Sequence, residues 1–145
     1  MKSMVIHYTD DDTEDIEMFK KAVEKSRINA TLHTYSNGDD FLHAIKNERS
    51  PEAIVLLDIN MPGKSGFEVL KEMRHVEALK KLPVVIYSTS SDVNAILTSK
   101  DIGATMYAVK PGSFAELKTL INKIIEVNWD KFESPPEDFV INGKK

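Results

Sequence analysis

A carboxylate at the end of an apolar run is the residue of this chain best placed for covalent chemistry. In residues 54–66, IVLLDINMPGKSG, the apolar run stops at Asp58 and is followed closely by Pro62 and Gly63. An apolar run without alternation is typical of a strand buried on both faces of a parallel sheet, and the Pro-Gly pair predicts a turn just beyond it. We therefore interpret Asp58 as the reacting residue, placed where a strand leaves the core.

Other polar residues follow the remaining apolar runs of the chain. They are, in chain order, Asp10, Asp11, Asp12, Ser88, Thr89 and Lys110. Because the carboxyl ends of parallel strands point to the same edge of a sheet, where ligands bind, we expect these side chains to meet Asp58 in one crevice. The triple aspartate permits a shift of one position, and we assign Asp10 and Asp11 to the crevice because Asp12 is better placed to cap the helix that follows.

These residue types together can accept a phosphoryl group. Carboxylates crowded into one crevice repel one another, by roughly 4 kcal/mol for a pair about 4 Å apart at an effective dielectric constant near 20. Lys110 offsets part of that repulsion, and an all-oxygen cluster without His or Cys favours a hard cation, Mg²⁺. Asp58 would attack the phosphorus atom, Mg²⁺ and Lys110 would hold the phosphoryl oxygens, and Ser88 would bond the product.

Strand-like and helix-like stretches alternate along the chain and must position these residues. The strand-like runs span residues 4–9, 31–35, 53–57, 83–88 and 105–109. After each of them, apolar residues recur at helical spacing and mark an amphipathic helix. Five strand-helix repeats with short connections predict an α/β fold, in which one five-stranded, doubly wound parallel sheet is covered on both faces by right-handed crossover helices.

Some positions in these helices carry specific expectations. Gly103 is expected to end the fourth helix. The residues that we expect in the core include Met18, Met73 and Met106 and, on the fourth helix, Val93, Ile96 and Leu97. A helix with one apolar face is expected to bury that face against the sheet.

Composition limits the classes of protein to which the chain can belong. The 145 residues, 41% of them hydrophobic, are enough for one compact core. The chain has no cysteine and a net charge of −4, which excludes disulfides and thiolate metal sites and argues against nucleic acid as a direct partner. No export signal or membrane-spanning stretch is recognisable, so we expect a cytoplasmic protein without a membrane partner.

The last part of the chain is too short for a domain and too aromatic for a simple linker. We assign residues 1–127 to one domain and residues 128–145 to a C-terminal tail. The tail contains Trp129, Phe132, Pro135, Pro136 and Phe139. We expect it to pack on the domain or on a partner, because exposed aromatic side chains would leave apolar surface in water.

Four groups of residues, found in the same order, resemble the signature of the response-regulator receiver domain of bacterial two-component signalling. They are the acidic pair Asp10 and Asp11, the D-x-x-M-P-G-x-x-G run that begins at Asp58, the hydroxyl residue Ser88, and the YAVKP segment with Tyr107, Lys110 and Pro111. Each group alone would be a weak signal, but four at the expected strand ends, in the expected order, are specific. The resemblance covers residues 1–127 and implies a flavodoxin-like receiver fold with strand order 2-1-3-4-5.

The resemblance also implies the chemistry of the site. Asp58 would be the phosphoacceptor for a phosphohistidine of a sensor histidine kinase or a histidine phosphotransfer protein, and Lys110 and Ser88 would assist the transfer. The groups that would hold Mg²⁺ are Asp11, Asp58, the backbone carbonyl of Asn60 and, through water, Asp10. The protein would catalyse only its own phosphoryl transfer and dephosphorylation, so it would not be an enzyme in the usual sense.

The resemblance further implies how the signal leaves the site. Ser88 and Tyr107 would form the conformational switch, with Tyr107 moving inward once Ser88 is drawn to the phosphoryl oxygens. The Lys110–Pro111 peptide bond would be cis. The surface of the fourth and fifth helices and the fifth strand would then be remodelled for an unknown downstream protein, for self-association as a homodimer, or for a phosphorelay.

Two other functions fit the same chain less well. A metal-dependent phosphohydrolase that uses an aspartyl phosphate would usually carry a second aspartate two residues after the nucleophile, where this chain has Asn60, and a substrate-capping insertion that this chain lacks. A binding-only pseudo-receiver is disfavoured because every group needed to accept a phosphoryl group is present.

Overall fold

The computed structural model of the chain describes residues 4–26, 28–47, 53–127, 129 and 138–144. The strands are β1 (Met4–Thr9), β2 (Ala30–Tyr35), β3 (Ala53–Leu57), β4 (Val84–Ser88), β5 (Met106–Val109) and β6 (Val140–Ile141). The helices are α1 (Thr13–Lys25), α2 (Gly38–Ile45), α3 (Gly66–Arg74), α4 (Val93–Ile102) and α5 (Phe114–Glu126). No described helix has both the length and the hydropathy that crossing a bilayer requires.

All the strands that the structure describes run parallel in a single sheet of order β2-β1-β3-β4-β5-β6. The predicted fold class and the order of the first five strands are confirmed. The predicted sheet of five strands is extended by the short strand β6, which pairs with β5. Because β1 lies between β2 and β3, the residues that follow β1 are neighbours of those that follow β3.

Two apolar clusters fill the space between the sheet and its helices. β3 and β4 are buried along their whole length, as their unbroken apolar runs predicted. One cluster joins α1 and α5 to the sheet and contains Tyr8 and Phe19, and the other joins α2 and α3 to the opposite face and contains Phe41 and Leu57. Met18, predicted to fill the core, is 42% exposed, because the residue before the buried Phe19 points about 100° away from it around the helix.

The N-cap of α1 determines which of the three aspartates after β1 can lie in the crevice. Asp12 is the N-cap of α1, and its side chain accepts hydrogen bonds from the backbone amides of Glu14 and Asp15. The predicted capping role of Asp12 is confirmed, which leaves Asp10 and Asp11 for the crevice. At the other end of the fold, Gly103 ends α4 with a left-handed φ of 113°, as predicted.

Helix α4 buries a different face from the one predicted. Val93 and Leu97 are 65% and 53% exposed, whereas Ala95, Ile96 and Ile102 pack against the core. The helix carries two overlapping sets of apolar residues at helical spacing, and packing selects the set that contains Ile102. The prediction that Val93 and Leu97 are core residues is therefore wrong, and both lie on the surface of α4.

The described part of the C-terminal tail packs against the rest of the chain. The backbone amide of Tyr107 donates to the carbonyl of Phe139 at 2.9 Å, which fixes β6 to β5. Trp129 and Phe139 are buried, one in each apolar cluster, and the Trp129 Nε1–H donates to the carbonyl of Ile124 at 3.0 Å. Phe132, Pro135 and Pro136 lie outside the described residues.

Candidate functional site

Backbone hydrogen bonds between neighbouring strands bring the ends of β1, β3, β4 and β5 to one edge of the sheet. The Asp58 amide donates to the Thr9 carbonyl at 3.0 Å, and the Lys110 amide donates to the Ser88 carbonyl at 2.7 Å. The acidic pair follows Thr9 directly. The residues that the sequence placed after four different strands therefore surround one crevice.

Three carboxylates meet in this crevice. Asp10, Asp11 and Asp58 each offer a carboxylate oxygen, and the three oxygens lie within 4.8 Å of one another. Asp10 and Asp58 are buried, with 0% and 7% of their surfaces exposed, whereas Asp11 is exposed. Two buried carboxylates side by side are unfavourable unless cations compensate them.

Lys110 supplies the nearest positive charge. Its Nζ lies 2.7 Å from Asp10 Oδ2, 2.8 Å from Asp15 Oδ2 and 3.6 Å from Asp58 Oδ1, and its side chain is 8% exposed. It also lies over the ring of Tyr87, 5.5 Å from the centroid. Burial lowers the pKa of Lys110, but its hydrogen bonds with Asp10 and Asp15 outweigh burial and hold the pKa above its ordinary value. Lys110 is therefore protonated and positively charged at neutral pH.

Asp10 is the most tightly held of the carboxylates. Its Oδ2 accepts hydrogen bonds from the Tyr8 hydroxyl at 2.5 Å and from Lys110, and its Oδ1 accepts one from the Asp12 amide at 3.0 Å. Burial, and then the hydrogen bond to Asp10, raises the pKa of Tyr8 well above its ordinary value. Tyr8 thus remains a neutral hydroxyl donor, and Asp10 is fixed in orientation by three donors.

Asp58 is the carboxyl group whose ionisation the crevice disfavours. Its pKa is raised to about 7 as the net result of three influences: burial raises it most, the Lys110 ammonium lowers it, and the carboxylates of Asp10 and Asp11 raise it. A nucleophilic carboxyl group must be ionised to attack, so the crevice needs more positive charge than Lys110 alone provides. The environment of Asp58 therefore favours binding of a cation beside it.

The oxygen atoms of the crevice fit a hard divalent ion. No His or Cys belongs to the acidic cluster found among the described residues, and carboxylate and carbonyl oxygens are the ligands that Mg²⁺ and Mn²⁺ prefer. The Asp11 carboxylate accepts no hydrogen bond from any residue that the structure describes, so its lone pairs are open to a ligand. Asn60 lies exposed in the loop that follows β3, where its backbone carbonyl is two residues from Asp58.

Gly66 packs closely against the backbone of Asp58. Its amide donates to the Ile59 carbonyl at 2.9 Å, and a Cβ at Gly66 would lie 2.2 Å from the Asp58 carbonyl oxygen. No side chain can be accommodated there without moving the Asp58 loop. The glycine at the end of the D-x-x-M-P-G-x-x-G run is therefore required by the close approach of α3 to the backbone of Asp58.

The hydroxyl groups of the proposed switch are connected through Ser90. Ser88 is buried, and its Oγ accepts a hydrogen bond from the Ser90 amide at 3.2 Å. Tyr107 is fully buried, and its hydroxyl donates to the Ser90 carbonyl at 2.7 Å. The expected inward movement of Tyr107 cannot start from this structure, because the ring already lies inside, in the cluster that also contains Phe139.

The peptide bond between Lys110 and Pro111 is trans, since the described residues include no cis peptide bond. The expectation of a cis bond is corrected here. The trans form is the intrinsically preferred one, by about 0.5 to 1 kcal/mol before proline. Lys110 reaches Asp10 and Asp58 from this trans backbone, so its contacts do not require the cis form.

Two residues of the site were missed by sequence reasoning. Asp15 lies in the first turn of α1 and Tyr8 is the penultimate residue of β1, and both contact the charged network of Asp10 and Lys110. The first turn of α1 follows the acidic run, so its side chains were within reach of the crevice. Tyr8 gave no such signal, because a tyrosine in an apolar strand is typical of a core residue.

Comparison with known families agrees with this geometry. A family model described as the response regulator receiver domain matches residues 6–122. The chemotaxis protein CheY-3 of Vibrio cholerae serotype O1 is 32% identical over 114 residues, which cover 78% of this chain and 88% of CheY-3. The crystal structure of the Mn²⁺-bound form of the response regulator Rcp1 superposes with a TM-score of 0.72 and 26% identity, covering 92% of this chain and 99% of that one.

A longer relative shows how far the similarity extends. The DNA-binding transcriptional regulator NtrC of Salmonella typhimurium is 27% identical over 143 residues, which cover 99% of this chain. The chain spans only 29% of the length of NtrC. The similarity to NtrC therefore concerns one part of that protein.

Proposed function

The chain belongs to the response regulator receiver family, and from this premise we propose that Asp58 is the residue that accepts its phosphoryl group. Phosphoryl acceptance and conformational switching are the general function of this family. One observation supports Asp58 above all: its buried carboxylate follows β3, with the Lys110 ammonium 3.6 Å away and oxygens of Asp10 and Asp11 within 4.8 Å.

The donor is a phosphohistidine of a sensor histidine kinase or of a histidine phosphotransfer protein. A carboxylate oxygen of Asp58 forms a bond to phosphorus while the bond between phosphorus and the histidine nitrogen breaks. The nitrogen keeps the electron pair of that bond and takes up a proton, and Asp58 becomes an acyl phosphate. The protein contributes mainly by holding Asp58 in line and by neutralising the oxygens of the group in transfer.

Mg²⁺ is the metal that this reaction would use, and when bound it would neutralise phosphoryl oxygens. Asp11, Asp58 and the backbone carbonyl of Asn60 would hold it. Asp10, whose oxygens already accept hydrogen bonds from Tyr8, Lys110 and the Asp12 amide, would act through water. The accessible carboxylate of Asp11 supports its assignment as a direct ligand.

Lys110 and Ser88 would hold the phosphoryl group once it is on Asp58. The two residues end or follow neighbouring strands, β4 and β5, and are joined by a backbone hydrogen bond of 2.7 Å. Lys110 provides charge, and the Ser88 hydroxyl provides a hydrogen bond donor. In this structure the Ser88 hydroxyl accepts a hydrogen bond from the Ser90 amide. A phosphoryl oxygen that attracts the Ser88 hydroxyl would break this hydrogen bond.

The switch would run from Ser88 through Ser90 to Tyr107 and the surface beyond. Movement of Ser90 disturbs the hydrogen bond that the Tyr107 hydroxyl makes with the Ser90 carbonyl. Tyr107 is bonded through its amide to Phe139 of the tail, and the α4 surface carries the exposed apolar residues Val93 and Leu97. Phosphorylation would therefore shift the population of conformations at α4, β5 and the tail.

The output of this switch would be a downstream protein, a homodimer or a histidine phosphotransfer partner. The exposed Val93 and Leu97 supply apolar area for such a contact. We assign the signal to protein contacts rather than to nucleic acid, because the net charge of the chain is −4 and phosphate backbones are bound by Lys and Arg.

The test is to treat the protein and its Asp58→Asn variant with acetyl phosphate, with Mg²⁺ or with excess chelator, and to measure intact mass and solution mass. Only the parent protein with Mg²⁺ should gain one phosphoryl group. A change in solution mass on phosphorylation would show that output runs through self-association. Equal modification of both proteins would contradict the assignment of Asp58, and modification that is equally fast in chelator would contradict the metal site.

A further inference from the structure

Asp15 forms an ion pair with Lys110 that the transfer reaction does not require. Its Oδ2 lies 2.8 Å from Lys110 Nζ, nearly as close as Asp10 at 2.7 Å and closer than Asp58 at 3.6 Å. The Asp15 side chain is 34% exposed, so water could solvate it at little cost. The contact is therefore not a forced consequence of burial.

The structure of α1 does not explain Asp15 either. Asp12 caps the helix, and its side chain accepts from the amides of Glu14 and Asp15. A negative charge in the first turn is favourable because of the helix dipole, but Glu14 provides one in the same turn. Glu14 is exposed, and within the described residues its side chain forms no ion pair with Lys110. Glu14 and Asp15 thus share helix position and charge, and differ in their contact with the site.

The ammonium group of Lys110 has a limited number of hydrogen bonds to give. It has three donors, and in this structure its short bonds go to Asp10 and Asp15. The distance of 3.6 Å to Asp58 is an ion-pair contact, beyond the usual range of a hydrogen bond. Before phosphorylation, Lys110 is therefore directed at the two carboxylates that do not react.

A phosphoryl group on Asp58 changes this balance. It adds oxygens with more negative charge than a carboxylate beside the ammonium group, so Lys110 is drawn towards Asp58. Separating Lys110 from Asp10 would leave a buried carboxylate without its cation, which is costly. Separating it from the partly exposed Asp15 costs little, because water replaces the lost bond. Asp15 is thus the partner that Lys110 gives up.

We propose that Asp15 is a positioning residue that holds Lys110 away from Asp58 until the phosphoryl group arrives. The proposal rests on Asp58 being the phosphoacceptor. The contact with Asp15 must be broken during transfer. The free energy needed to break it reduces the net stabilisation that Lys110 gives to the phosphoryl group in transfer. Asp15 therefore slows phosphorylation of the resting protein and keeps Lys110 out of the phosphorylated arrangement when Asp58 is unmodified.

The test compares three variants of the full chain with acetyl phosphate and Mg²⁺, with intact mass followed over time. The Asp58 oxygen bonds to phosphorus, and acetate leaves with the electron pair of the broken phosphorus–oxygen bond. Asp15→Asn keeps the shape of the side chain and removes its charge, and should raise the maximal rate about threefold to fivefold while the half-saturating donor concentration changes by less than about twofold. Asp15→Glu, which restores the carboxylate, should return the rate to that of the parent protein.

Glu14→Gln is the matched control, because it removes the same charge from the same turn without touching Lys110. It should change neither the maximal rate nor the half-saturating concentration by more than about twofold. In protein with ¹⁵N-labelled lysine, the side-chain signal of Lys110 should shift in Asp15→Asn and not in Glu14→Gln. This second readout reports on the contact itself, whatever the rate of transfer.

Each result decides between the two proposals. If the parent protein is phosphorylated on Asp58 but Asp15→Asn is slower, unchanged or matched by Glu14→Gln, the role of Asp15 is overturned and the phosphoacceptor stands. An unshifted Lys110 signal in Asp15→Asn would overturn it in the same way. If the parent protein gains no phosphoryl group, the function proposed above fails, and the role of Asp15 fails with it.

Discussion

The acidic crevice and the β5–β6 edge both involve strand β5, but different interactions dominate in them. Beyond the end of β5, Lys110 lies among Asp10, Asp15 and Asp58, where charge dominates. Along the side of β5, the tail adds a strand of two residues and buries Phe139. The crevice concentrates groups that repel one another, whereas the edge buries apolar surface.

The difference indicates that the crevice opposes the stability of the fold, whereas the β5–β6 edge contributes to it. Burial of Asp58 beside two further carboxylates opposes its ionisation, so the crevice is held in an unfavourable state that a bound cation would relieve. At the edge, burial of an aromatic side chain is favourable on its own. Tyr107 links the two regions, because its hydroxyl bonds to Ser90 and its amide to Phe139.

Removing the cation of the crevice should have the largest effect on stability. Lys110→Ala leaves Asp10 and Asp58 without their ammonium partner and should lower the free energy of unfolding by about 4 kcal/mol in chelator. Lys64, which pairs with Asp39 and Glu72 on the surface, is the control, because exposed ion pairs contribute little. Urea unfolding of Lys110→Ala and Lys64→Ala measures both, and equal losses would show that the crevice does not depend on its lysine.

The same variant separates metal binding from signalling. Lys110 is not among the proposed ligands, so Lys110→Ala should still bind Mg²⁺, measured by titration calorimetry, while phosphorylation no longer changes solution mass or partner binding. Loss of Mg²⁺ binding in a variant that remains folded would contradict the ligand assignment.

Truncation of the buried ring at the edge should have the next largest effect. Phe139→Ala removes a side chain that is 6% exposed and should lower the free energy of unfolding by about 3 kcal/mol. Val140→Ala, one residue along and 39% exposed, should lower it by less than about 1 kcal/mol. If both substitutions have the same small effect in urea unfolding, the tail does not contribute a packed edge.

Removing the carboxylate of Asp58 should have a smaller effect on stability, with the opposite sign. The pKa of Asp58 is raised to about 7, so the Asp58 carboxyl group binds its proton more tightly in the folded protein than in the unfolded chain. The free energy of unfolding therefore falls as pH rises between about 4 and about 7. Asp58→Asn lacks this loss and should be more stable than the parent protein by roughly 2 kcal/mol at about pH 8 in chelator. Stability curves against pH that remain parallel for the two proteins would contradict a crowded crevice.

The crevice could be predicted from sequence because topology alone brings its members together. Asp10, Asp58, Ser88 and Lys110 each end or follow a strand of one parallel sheet, and every such end lies at the same edge. The partners that Lys110 selects could not be predicted in this way. Asp15 contacts it through the choice of side-chain rotamer, which packing decides and residue spacing does not encode.

The edge could be predicted only in outline. The aromatic residues of the tail indicated that it packs on something, but a strand of two residues, Val140–Ile141, is too short to show a period. On α4, the residues Val93, Ile96 and Leu97 have helical spacing, and so do Ala95 and Ile102, seven residues apart, with Ile96 beside Ala95. Spacing cannot choose between two overlapping faces, and only packing against the sheet exposes Val93 and Leu97.

The most direct test of the central claim is to locate the phosphoryl group on the chain. After reaction with acetyl phosphate and Mg²⁺, borohydride reduction converts a phosphorylated aspartate to homoserine, and peptide mass spectrometry identifies its position. We expect homoserine at position 58 in the parent protein and at no position in the Asp58→Asn variant. Homoserine at position 10, 11 or 15, or persistence of the modification in the variant, would show that Asp58 is not the phosphoacceptor.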